Sequence, residues 1–123
     1  MDVTPLIRSD QQVIQAYAGE TFKVSGKTYQ GAILVRPDAT TAWDAPAFED
    51  LQPQDFTFSE KDRPDVILLG VGKLSRFLTR EQKQAFASAG IHIEVMDTGA
   101  ACRTYNVLMA EGRLVAAALY PYL

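Results

Sequence analysis

From residue 12 to 37 the chain, "QVIQAYAGETFKVSGKTYQGAILVRP", sets β-branched and aromatic residues in rough alternation with polar ones. A period of two places apolar side chains on one face of an extended chain. The segment therefore predicts strands joined by tight turns at Gly19 and at Ser25-Gly26. Glycine supplies the positive φ that a short hairpin loop requires, which makes Ser25-Gly26 the better hairpin candidate. "GAILVRP" reads as a buried strand ending at Pro37, and a short extended lead carrying Pro5 precedes the whole segment. From 38 to 64 the pattern breaks up into Pro, Asp and Thr with isolated apolar residues. A short strand near Trp43 and a turn or two of helix are expected there. The aromatic side chains of Trp43, Phe48, Phe56 and Phe58 argue for packing against a core rather than for a solvated linker.

The second half is cleaner. "DVILLG" is a continuous apolar run, as expected of a strand in a sheet covered on both faces. "TREQKQAFASAG" predicts a helix with Thr79 as N-cap, Gln82 at the capping-box position and Gly90 at the C-cap. "IHIEVM" is the next strand. "DTGAACRTYNVLMAEG" is a second helix, started by Asp97 or Thr98 and closed by Gly112, and "RLVAAALY" is a final strand. The order is β-α-β-α-β, with the strands of the 65–96 crossover unit parallel. The 123 residues fit one α/β domain, 1–123, and contain no repeat or low-complexity segment.

Charge and composition remove several function classes. Twelve basic and fifteen acidic residues leave a net charge of −3, which argues against a nucleic-acid surface. Cys102 has no partner for an internal disulfide, and His92 is the sole histidine, so neither a metal site nor a cofactor is expected. The start of the chain lacks a signal-peptide pattern, and no apolar run reaches the ~20 residues of a membrane span. The expectation is a cytoplasmic protein without membrane insertion.

The candidate chemistry lies after the first strand of the second half. Gly70, Val71 and Gly72, followed by Lys73 and Arg76, suggest a loop that cradles an anion. The dinucleotide fingerprint is incomplete because Ser75 stands where its third glycine belongs, and the P-loop fails because Leu74 follows Lys73. Any ligand would be a small anion or carboxylate. On the second helix Arg103 and Asn106, three apart, project from neighbouring positions, while Ala101, Tyr105 and Leu108 form an apolar stripe. Arg103 and the free N–H groups at the helix start would complete an anion pocket with the 70–72 loop, leaving Lys73 and Arg76 at its rim. The structural alternative pairs Arg103 with Asp97 or Glu94 and sets Asn106 against loop backbone. Otherwise the glycines simply turn the chain. Arg80 and Lys83 extend the basic run along the helix, either as a solvated face or as a patch for an acidic partner. His92 shares a strand face with Glu94 and lacks a neighbouring nucleophile in sequence, and Cys102 reads as a buried, inert thiol. The apolar end "ALYPYL" either packs on the sheet or makes a subunit contact.

The segments "KTYQGAILVRP", "DVILLGVG" and "GIHIEVMDTGAACRTYNVLMAEGRLVAAAL" resemble the Mth-domain family, small domains of unknown function. Its eukaryotic members include a mitochondrial assembly factor for respiratory complex I and an adipogenesis-associated protein. The resemblance, from about residue 20 to 120, implies a three-layer α/β domain: a central mixed sheet flanked by helices, with the N-terminal strands as an extra layer. It implies a non-enzymatic protein-interaction module that assists assembly of a respiratory or membrane complex. The family loop reads Gly-Thr-Gly, and Val71 here replaces its hydroxyl residue. No import signal is read at the start of the chain, so a bacterial relative is expected. A second expectation is a small-molecule protein or enzyme using the pocket between loop 70–73 and the Arg103 helix.

Overall fold

The computed structural model describes residues 11–58 and 62–123. The expected extended lead around Pro5 lies outside them. The alternating first segment forms a meander of β1 (Ile14–Ala18), β2 (Thr21–Val24) and β3 (Lys27–Gln30), paired antiparallel in the order β1-β2-β3. Its β2-β3 turn is the expected Ser25-Gly26 pair, and both residues have positive φ, 46° and 84°. Ser25 tolerates this conformation while its Oγ accepts from Val13 N–H and donates to Gln11 C=O, tying the turn to the strand entry.

The main sheet combines β4 (Ile33–Arg36), β5 (Ala39–Ala42), β6 (Val66–Gly70), β7 (Ile93–Met96) and β8 (Val115–Leu119) in the order β5-β4-β8-β6-β7. β6 runs parallel to both β7 and β8, and β4 runs antiparallel to β5 and β8. The sheet is therefore mixed, as the family resemblance implied. The short strand expected near Trp43 is β5, which ends one residue before it. Both β6 and β8 are buried along their full length, so their uninterrupted apolar runs have a direct cause: each strand is covered on both faces.

Alternate residues of β6 feed two cores. Val66 and Leu68 share a core with Ala101, Tyr105 and Met109 of α2 (Thr98–Ala110), and Ile14, Phe22 and Val24 of the meander join the same cluster. Ile67 and Leu69 face Phe86 of α1 (Arg80–Ser88) and the aromatic segment carrying Phe48, Leu51 and Phe56. The alanines of β8 are small because helix and aromatic side chains close over both faces of that strand. α1 has the expected capping box: Thr79 Oγ1 accepts from Gln82 N–H, and Gln82 Oε1 accepts from Thr79 N–H. The same Gln82 side chain donates to the carbonyls of Phe48 and Leu51. One amide thus starts the helix and fastens the irregular 48–51 segment, itself a 3-10 turn at Phe48–Asp50.

Candidate functional site

The loop after β6 lies at the carboxyl end of the parallel strands, where open α/β sheets commonly receive ligands. Here its backbone is already engaged. Val71 N–H donates to Met96 C=O, Gly72 N–H to Thr98 Oγ1 at 2.8 Å, and Lys73 N–H to Leu123 C=O. Thr98 N–H returns a bond to Gly72 C=O, and Thr98 Oγ1 donates to Tyr120 C=O at 2.7 Å. The side chain of fully buried Thr98 therefore joins the end of β6, the start of α2 and the end of β8. Gly70 and Gly72 serve this clasp differently. A Cβ on Gly70 would come within 2.9 Å of both Leu119 Cδ2 and Thr98 Cα, whereas Gly72 has a φ of +100° that favours glycine. Val71, in place of the family's hydroxyl residue, is buried in the core under α1.

The residues expected to complete an anion pocket are directed elsewhere. Arg103 Nη1 hydrogen-bonds the Tyr17 hydroxyl at 3.1 Å, rather than Asp97 or Glu94. Tyr17 also packs edge-on to Tyr122, with ring centroids 5.0 Å apart. Asn106 is held by backbone, though by that of strand β1 and not of a loop: Oδ1 accepts from Ile14 N–H at 3.0 Å, and Nδ2 donates to Ile14 C=O at 2.8 Å. It holds β1 on α2. The start of α2 carries its own carboxylate, since Asp97 Oδ1 accepts from Ala100 N–H. That negative charge disfavours an anion at the same helix end. The groove beside the loop is lined by Val71, Gly72, Lys73, Arg76, Tyr120 and Pro121, with neither Arg103 nor Asn106 on its wall. The expected convergence of loop and helix on one pocket is thus not what the fold builds, because remote backbone and hydroxyl groups take up each component.

Arg76 is not a loose rim cation either. Its Nη2 donates to Val71 C=O at 3.1 Å, and its guanidinium lies 4.5 Å from the Phe48 ring centroid. It also reaches Glu49 at 4.0 Å. On the Tyr120 side, burial pushes the hydroxyl pKa up to about 12, with Arg76 acting in the opposite direction, and that hydroxyl donates to Pro46 C=O. Around this anchored arginine the loop presents Leu74 and Phe77, 78% and 83% exposed, outward. Beside Phe77 an apolar groove of about 370 Å³ runs between α1 and β7, with Lys83, Phe86, Ile91, Ile93 and Val95 in its walls. In the sequence Leu74 stands out only as the residue that breaks a P-loop, and Phe77 carries no signal of its exposure.

The remaining candidates have structural surroundings. Burial pushes the Cys102 thiol up to about 12, partly offset by Arg103, so at neutral pH it is a protonated core group. Burial likewise raises Tyr105, whose hydroxyl donates to Gln12 C=O. His92 Nε2 lies 3.5 Å from Glu94 Oε1 on the exposed edge of the sheet. Of the C-terminal residues, Tyr120 meets Trp43 at 5.2 Å and Tyr122 bridges to Gly19, while the Leu123 side chain is exposed. Among the described residues, no group of His, Cys, Asp and Glu is arranged to hold a metal. Among the same residues, no helix is long and apolar enough to cross a membrane.

A family described as protein of unknown function (DUF498/DUF598) matches residues 14–120. The chain belongs to that family. DUF498/DUF598 relatives similar to it include a Danio rerio protein named NADH dehydrogenase (ubiquinone) 1 alpha subcomplex assembly factor 3. The two are 34% identical over 111 residues, which cover 89% of this chain and 64% of that protein. The chain thus spans less than two thirds of that relative's length. An uncharacterised Rhodobacter capsulatus protein is 32% identical over 108 residues, covering 88% of this chain and 83% of its own. Among solved structures, a Bordetella pertussis protein described as a Mth938-like domain superposes with a TM-score of 0.68 at 28% identity, covering 98% of this chain and 90% of that one. Family membership and fold therefore agree with the Mth-domain resemblance read from the sequence.

Proposed function

We propose that this DUF498/DUF598 chain is a protein-docking module that assists assembly of a membrane-bound respiratory complex and does not itself catalyse a reaction. The observation that carries the reading is the exposure of Leu74 and Phe77 on a loop whose base is anchored by Arg76. Large apolar side chains held outward on a fixed base lose little freedom on contact, which suits a docking surface. The assembly-factor name of the Danio rerio relative supports the kind of complex. The polar groups that a catalytic or anion site would use are instead engaged in holding β1, α2 and the C-terminal segment together. A photo-crosslinking residue at position 74 or 77, in the full chain expressed in its native host, tests the surface directly. Adducts with subunits of the respiratory NADH dehydrogenase are expected from these positions and not from exposed position 27 of the meander. Equal labelling from all three positions would remove the assignment of the docking face.

A further inference from the structure

We infer that the free edge of β7 and the groove beside it form a strand-addition site, which takes an extended, acid-bearing peptide segment of a partner protein. The inference rests on reading the chain as a docking module and names the chemistry of what it docks. β7 is the last strand of the five-stranded sheet. Ile67 N–H donates to His92 C=O and Val71 N–H to Met96 C=O, so the even-numbered residues of this strand turn their backbone groups towards β6. In a parallel pair the alternate residues turn theirs away. The N–H and C=O groups of Ile93 and Val95 therefore point outward, and no described residue pairs with them. Such a row matches another extended chain, rather than a helix or a compact small molecule.

The side chains agree with the backbone. Ile93 and Val95 pack on the α1 side of the sheet, and together with Phe86 and Phe77 they line the groove beside this edge strand. An added strand would place every second side chain over this groove, and an apolar residue fits its lining. Lys83 stands on the α1 side, and among the described residues no carboxylate forms an ion pair with it. A carboxylate on the same face of the incoming strand would meet that charge. The occupant is consequently an extended segment carrying an apolar residue and, two positions away, an Asp or Glu. Two copies of this chain joined through β7 would bring two Lys83 side chains to the joint surface without supplying that carboxylate.

The test uses an acetylated, amidated hexapeptide of alternating Val and Thr with one Val replaced by Asp. Its partner probe has the same side chains but is N-methylated at the residues facing Ile93 and Val95. Both are titrated into the full chain labelled with nitrogen-15. The plain peptide is expected to shift amides of residues 77–95 and slow hydrogen exchange at Ile93 and Val95. N-methylation should weaken binding at least about tenfold. Lys83→Glu should weaken it several-fold, and Val95→Pro, which removes an outward N–H and no internal bond, should abolish it while leaving the fold intact. If the complex subunits crosslink to position 74 or 77 but the peptide does not bind, strand addition alone fails; if the peptide binds but no subunit crosslinks, the assembly reading alone fails. Equal affinity for the methylated peptide, shifts centred away from β7, no shift at millimolar peptide, or concentration-dependent protection of Ile93 and Val95 without peptide, as in self-association, would each overturn the site.

Discussion

Replacing Thr98 by valine removes one hydroxyl and leaves the side-chain shape almost unchanged. That hydroxyl accepts from Gly72 N–H at 2.8 Å and donates to Tyr120 C=O at 2.7 Å, in a side chain with no exposed surface. Valine would leave a buried amide and a partly buried carbonyl without these partners. Unmade bonds of this kind cost about 1–3 kcal/mol for the buried group and less for the half-buried one, giving roughly 2–4 kcal/mol in all. The new methyl would also sit at hydrogen-bond distance from the Gly72 nitrogen, closer than van der Waals contact allows, so strain adds to the loss. Against a typical domain stability of about 5–15 kcal/mol this is a large fraction. In urea unfolding the midpoint should fall by roughly 1–2 M for Thr98→Val, with an unchanged slope. Thr98→Ser keeps the hydroxyl and should fall well short of that. Equal midpoints for the valine and serine variants would refute the clasp.

Gly70→Ala should destabilise the fold by about 1–3 kcal/mol, since its Cβ would meet Leu119 and the Thr98 backbone at 2.9 Å; thermal unfolding checks this. Asn106→Leu should cost about 2–4 kcal/mol by unpairing both backbone groups of Ile14, and hydrogen exchange at β1 should rise more than at β6. Stability should also fall with alkaline pH. The Cys102 pKa is raised from 9.0 to about 12 on folding, so its contribution is complete below pH 9 and is lost as pH rises towards the folded value. The slope from this group is about 1.4 kcal/mol per pH unit, and unfolding curves of Cys102→Ala should show a shallower alkaline decline than wild type.

The legible parts of the fold were those governed by neighbours in sequence. The apolar run of β6, the Thr79–Gln82 capping box and the Ser25-Gly26 turn each depend on a few adjacent residues, and the structure holds all three. Asp97, rather than Thr98, proved to be the second helix's N-cap; Thr98 is released for the longer-range clasp. What stayed hidden depended on distant partners. The amides of the glycine loop meet groups at positions 96, 98 and 123, and Arg103 meets Tyr17 across 86 residues of chain. No local pattern announces such partners, so the loop resembled an anion cradle. Leu74 and Phe77 sit in a non-periodic stretch, where sequence does not separate a buried apolar residue from an exposed one.

In the proposed role, the chain acts through its Leu74 and Phe77 surface in building a respiratory complex. The most direct test of that role is the amount of assembled NADH dehydrogenase in membranes of the native host, read on native gels with an in-gel activity stain. Deleting the gene should lower that amount, and wild type or Arg103→Ala should restore it. The double variant Leu74→Ser, Phe77→Ser should accumulate as a folded protein and fail to restore it. Unchanged complex in the deletion strain, or full restoration by the double variant, would rule that role out.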